Sequence, residues 1–266
     1  GDFNCSEQGL TDFKGVRFGV VKGHFGCERN QLTSLEGAPQ SVGDSFICVH
    51  NQLISLEGAP QKVGGNFDCD YNQLITLEGA PQDVGGDFWC KHNQITSLEG
   101  APQEVGGHFW CEHNQITSLE GAPQEVGGNF ICEHNQLTSL EGAPQEVGGH
   151  FSCSNNQLIT LEGAPQEVGG HFNCSNNQLI TLEGAPQDVG GDFSCADNPV
   201  SGETLKSIFS RMKEGDSYIQ AVETLWSKIT LEDQALLYRS EFEWVSPEER
   251  RKLEAVRAYR GFKGMI

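Results

Sequence analysis

FWCEHNQITSLEGAPQEVGGN, residues 109–129, is followed at once by FICEHNQLTSLEGAPQEVGGH, residues 130–150. Working outward from this pair, Phe25, Phe46, Phe67, Phe88, Phe109, Phe130, Phe151, Phe172 and Phe193 recur every 21 residues. Each is followed two residues later by Cys, from Cys27 to Cys195. Phe3 and Cys5 begin a tenth copy that is out of step, because Phe3 and Phe25 lie 22 residues apart. Identity at a fixed short period predicts stacked coils of one kind.

The unit, F-x-C-x-x-N-Q-[LI]-[TI]-[ST]-L-E-G-A-P-Q-x-V-G-G-x, states its own local structure. Phe-x-Cys alternates inward with outward, so it reads as a short strand with Phe and Cys facing a core. Gly-Gly before it and Gly-Ala-Pro after it enforce turns. Each unit is then one coil of a solenoid, with strands stacked in parallel about 4.8 Å apart and an array about 45–50 Å long. Leu32 and Leu35, their copies such as Ile116 and Leu119, and the Val42 column should fill the core. The Asn30, Asn51, Asn72 column, continued to Asn198, should form a buried amide ladder that pairs backbone groups left open at the turn.

The core F-x-C-x-x-N-Q-L resembles the leucine-rich repeat pattern L-x-L-x-x-N-x-L, with Phe and Cys in two of the Leu positions. The continuation LTSLEGAPQ is similar to the short repeats of bacterial secreted effectors, with Glu and Ala replacing the first Pro and second Leu of their motif and the final Pro kept. Near-identical arrays of this kind also occur in tailed-phage proteins. The resemblance covers residues 1–198. It implies a leucine-rich repeat solenoid with an irregular convex side and about ten rungs, and a role in binding other proteins on the concave sheet.

Charge divides the chain at the same point. Residues 1–198 carry 26 acids and 6 bases, whereas residues 199–266 carry 11 of each. The overall net charge of −20 argues against a nucleic-acid or anionic-membrane binder, since both need Lys and Arg. No run of about 18 apolar residues provides a transmembrane span. Residues 199–266 are expected to form a small domain of three to four helices capping the array. Leu205, Ile208, Phe209 and Met212 make one apolar face, and Ser246-Pro-Glu-Glu is a capping box.

Ten cysteines in one inward column, with no C-x-x-C pair, read as core thiols and hence a reducing compartment such as the cytoplasm. The effector-like repeats also admit secretion. A ring column, His50, Tyr71, His92, His113 and His134, reads as an exposed aromatic ladder, with a metal site beside Glu112 and Glu133 as the lesser alternative. Acidic columns starting at Glu36 and Asp83 read as solubilising surface. No cofactor or metal is expected.

Nothing resembles a catalytic constellation. No Ser/His/Asp set, phosphate loop or H-E-x-x-H occurs. Some effectors with similar repeats carry a ubiquitin ligase with a Cys nucleophile after the array, but residues 199–266 contain neither Cys nor His. The chain therefore reads as a non-enzyme.

The copies differ mainly at the two outward strand positions. Trp89, Trp110 and Ile131 are adjacent there, and exposed indoles are favoured interface anchors. The expected partner-binding surface comprises Ile47, Tyr71, Trp89, His92, Trp110, His113, Ile131 and His134, and the partner is another protein. The alternative is a structural or assembly protein, such as one encoded by a phage, that forms homo-oligomers through the array or the helical tail.

Overall fold

A computed structural model describes residues 1–199. The expected helical domain, residues 199–266, lies outside the described residues apart from its first position. Within residues 1–199, Phe-x dipeptides form a ten-stranded parallel sheet running from Phe3–Asn4 to Phe193–Ser194. Every strand pairs in register with its copy one rung away, for example Phe109 with both Phe88 and Phe130. Residues 1–199 thus form a solenoid of parallel strands that is leucine-rich-repeat-like in its repeat.

The convex side is more regular than expected. A second parallel sheet, of nine strands, runs from Val20–Val21 to Asp188–Val189. Val faces the core in these dipeptides while the preceding residue faces out, as in Glu104–Val105. The Gly-Gly that follows explains the tight stacking. A Cβ on Gly106 would lie 2.3 Å from the carbonyl oxygen of Gly85, so only hydrogen fits between successive rungs.

The core is continuous between the two sheets. Phe25 through Phe172, Leu32, Leu35 and their copies are all buried, and all but Leu182 have no solvent exposure. Successive Phe rings stack, with centroids 5.2–5.4 Å apart from Phe25 to Phe193. The out-of-step first copy closes one end. Its extra residue falls between the core residues Phe13 and Val21, and that segment lets Phe18 pack edge-on against Phe25 at 5.1 Å.

The Asn column behaves as its spacing implies. Asn114 Oδ1 accepts the N–H of Ile95 at 3.0 Å, and its Nδ2 donates to the carbonyls of Cys90 and Cys111 at 3.0 and 3.1 Å. Each amide thus ties one rung to the one before it. Similarly, the Ser/Thr hydroxyl column is used internally: Ser118 Oγ accepts the N–H of Glu120 at 3.2 Å, an ST-turn that shapes the corner.

No disulfide joins the ten cysteines, and nine of them are buried. Their thiols donate to the next rung, as Cys48 Sγ does to the carbonyl of Asp68 at 3.3 Å. Burial pushes these thiols well above their ordinary pKa, which suppresses the reactive thiolate. At pH 8 a thiol reagent should label only the half-buried Cys5 quickly in the native protein. The other cysteines should react after unfolding; fast native labelling of several would contradict this packing.

Candidate functional site

The Phe-x sheet presents its outward residues in two columns, one between Phe and Cys and one after Cys. In the first, Asp68 lies beside Trp89, Trp89 beside Trp110, and Trp110 beside Ile131. Parallel pairing in register therefore brings Trp89, Trp110 and Ile131 side by side. Ile47 also lies on this face, separated from the Trp pair by Asp68.

The tryptophans are less exposed than the sequence suggests. Both are half-buried, with ring centroids 5.6 Å apart and planes 19° from parallel. His108 stacks on Trp110 with centroids 5.8 Å apart, and Lys91 from the second column lies against both indoles. Its Nζ lies 4.5 Å from the Trp110 centroid and 5.6 Å from that of Trp89, close enough for a cation–π contact with each. Both indole Nε1 atoms are buried without a hydrogen-bond partner.

Carboxylates frame this assembly. Lys91 Nζ is 3.3 Å from Asp70 and 4.0 Å from Glu112. Asp70 Oδ1 also accepts the Lys91 backbone N–H at 2.6 Å. Asp68 is only 8% exposed, and its Oδ1 accepts the N–H of Asp70 at 3.1 Å. No cation pairs with Asp68 among the described residues. Burial, reinforced by the charge of Asp70, pushes its pKa up to about 7. Burial also raises Asp70 and Glu112, against the opposing pull of Lys91. Glu112 Oε2 is buried and unpartnered, while Glu133 Oε1 accepts the hydroxyl of Ser152.

The ring residues lie on the neighbouring turn rather than among the tryptophans. Tyr71 is stacked between His50 and His92, at 4.6 and 4.3 Å, and His113 stacks on His92 and His134 at 4.4 Å each. Stacked rings with nearly parallel planes do not converge their nitrogens on one point. Among the described residues, no group of three or more His, Cys, Asp or Glu is placed to hold a metal ion. His113 is held below its ordinary pKa, first by desolvation and then by His134 and His92.

Backbone geometry explains much of that column. His50, Tyr71, His92, His113, His134, Asn155, Asn176 and Asp197 all have φ between 52° and 57°. Asn, Asp and His tolerate this left-handed conformation best among residues with a Cβ. The continuation of the ring column as Asn155, Asn176 and Asp197 was the signal for this turn.

A further polar ladder escaped the sequence reading. From Ser45 to His171 the residue just before each Phe accepts the backbone N–H of its copy in the next rung. Thus Asp87 Oδ1 accepts from His108 at 2.7 Å, His108 Nδ1 from Asn129 at 2.8 Å, and Asn129 Oδ1 from His150 at 2.8 Å. The column contains only Asp, Asn, Ser and His after the first two rungs, all with short side-chain acceptors. That restriction was legible. So were the Ile variants of the Thr column, of which Ile54 and Ile75 are more than half exposed.

No protein-family model and no curated protein matches the chain. Among solved structures, the solenoid is similar to YopM from Yersinia enterocolitica WA-314, with a TM-score of 0.45 and 19% sequence identity. That similarity covers 73% of this chain and 48% of YopM, so the match spans about half the length of that protein. Among the described residues no helix is long and apolar enough to cross a membrane.

Proposed function

We propose that the chain is a non-enzymatic recognition module that grips another protein through the Phe-x sheet face around Trp89 and Trp110. The observation that carries this reading is where the copies differ. Framework columns repeat almost unchanged through the array, whereas the outward columns hold Ile47, Asp68, Trp89, Trp110 and Ile131 in one stretch and Ser152, Asn173 and Ser194 in the next. A face needed only for packing has no reason to vary while its frame does not. Half-buried stacked indoles with unpaired N–H groups are also suited to anchor an interface. Ile47 and Ile131 extend the face along the array. Tyr71, His92, His113 and His134 would form its rim on the adjoining turn.

The test is capture of a partner from lysate by the intact chain and by a Trp89→Ala, Trp110→Ala double variant, with circular dichroism matching the two folds. A partner held by the first and lost by the second is the expected result. Equal capture by both would remove the tryptophans from the interface. Light scattering on the intact chain addresses assembly directly: a discrete oligomer unaffected by the Trp changes would favour a structural role.

A further inference from the structure

Between Val63 and Asn198 the chain contains a single Lys or Arg, and it is Lys91. That one cation lies across the two indoles with a carboxylate on either side, Asp70 at 3.3 Å and Glu112 at 4.0 Å. It is an internal specimen of what this surface accepts. The site nevertheless holds more anionic groups than Lys91 can match. Asp68 is buried and forms no ion pair, with Lys91 acting on it only from a distance, and Glu112 Oε2 is buried with no hydrogen-bond partner. Leaving a buried carboxylate oxygen unsatisfied is costly, and it points to a group that arrives from outside.

We propose that this face recognises a cationic partner segment, whose Arg or Lys side chains lie on the Trp89–Trp110 platform and pair with Asp68 and Glu112. The inference rests on the recognition reading above and specifies its chemistry. An array with 26 acids and 6 bases in residues 1–198 attracts such a segment over distance, and the aromatic platform with its buried acids holds it. Arg suits the site especially, since a guanidinium stacks on an indole and still offers in-plane donors to carboxylates. With its pKa pushed up to about 7, Asp68 is partly protonated near neutral pH in the unbound protein, and an arriving cation displaces the proton. The groups bearing on that exchange are Asp70, Glu28 and Lys91 around Asp68, with His92 acting on Asp70, and Glu133, Asp70 and Lys91 around Glu112. Binding should accordingly be tighter at pH 8 than at pH 6.

The experiment uses the full chain and two labelled nonapeptides, alternating Arg-Gly and alternating Glu-Gly, read by fluorescence anisotropy at near-physiological salt. The Arg peptide should bind and the Glu peptide should not. An Asp68→Asn, Glu112→Gln variant should bind the Arg peptide at least about tenfold more weakly, which corresponds to about 1.4 kcal/mol. A control variant, Glu104→Gln, Glu125→Gln, removes the same charge from the opposite sheet and should change affinity less than about threefold. Equal weakening by both variants would reduce the effect to the diffuse field of the array and overturn the proposal, as would binding of the Glu peptide or no binding of the Arg peptide. The lysate capture separates the two levels. A partner lost with the Trp double variant but retained by Asp68→Asn, Glu112→Gln refutes the cation site and leaves the recognition face standing.

Discussion

Replacing Asn114 by Ala is expected to destabilise the solenoid by roughly 2–4 kcal/mol. The side chain is 9% exposed and satisfies one backbone N–H and two backbone carbonyls of rungs that it joins, at 3.0–3.1 Å. Truncation leaves the Ile95 N–H buried and unpaired, at about 1–3 kcal/mol, and removes the bonds to the carbonyls of Cys90 and Cys111, which keep the amides of Asn93 and Asn135. Because each rung contacts only its neighbours, the damage begins locally and then lowers the stability of the stacked array. Denaturant titration of the two chains measures it, and a loss below about 1 kcal/mol would show that the ladder is not what joins the rungs.

Asp68→Asn should act in the opposite direction, and only above a certain pH. The Asp68 carboxyl rises from 3.8 to about 7 on folding, through burial and then the charge of Asp70. A raised carboxyl pKa means that the folded state keeps a proton which the unfolded chain has released. Stability therefore falls as pH climbs from about 4 to about 7, and then levels off. Asn keeps the acceptor that receives the N–H of Asp70 and removes the charge. The variant should match the original chain near pH 3.5 and exceed it at pH 8, by at most about 4 kcal/mol for a shift of about three units. Neighbouring groups titrate in both chains, so the difference between the two stability curves is the quantity to follow. Parallel curves from pH 4 to 8 would refute this electrostatic account. If the gain appears and peptide binding weakens in the same variant, Asp68 is a residue whose folding cost is kept for recognition.

Most of the architecture could be read from the 21-residue period. Phe-x-Cys required a strand, Gly-Gly a close approach, and Asn a ladder, and the fold contains all three. The second sheet was missed because its strands are only two residues long, and Glu-Val followed by Gly-Gly carries no alternation long enough to read. The site was legible in its columns but not in its contacts. Trp89 and Trp110 were correctly placed side by side, yet they are half-buried against Lys91, whose direction along the face no spacing reveals. The histidines of the ring column attracted a functional reading that their left-handed backbone partly explains.

By itself the sequence determined the repeat, its register, the inward Phe, Cys, Leu and Val columns, and which outward positions differ. These follow from periodicity, because every rung must bury the same face against its neighbours. Only the tertiary structure decided which carboxylates are buried, that Lys91 lies across the indoles, and that Asp68 forms no ion pair among the described residues. Burial and charge pairing depend on side-chain direction across rungs 21 residues apart, where stacking, not sequence neighbourhood, sets the distances.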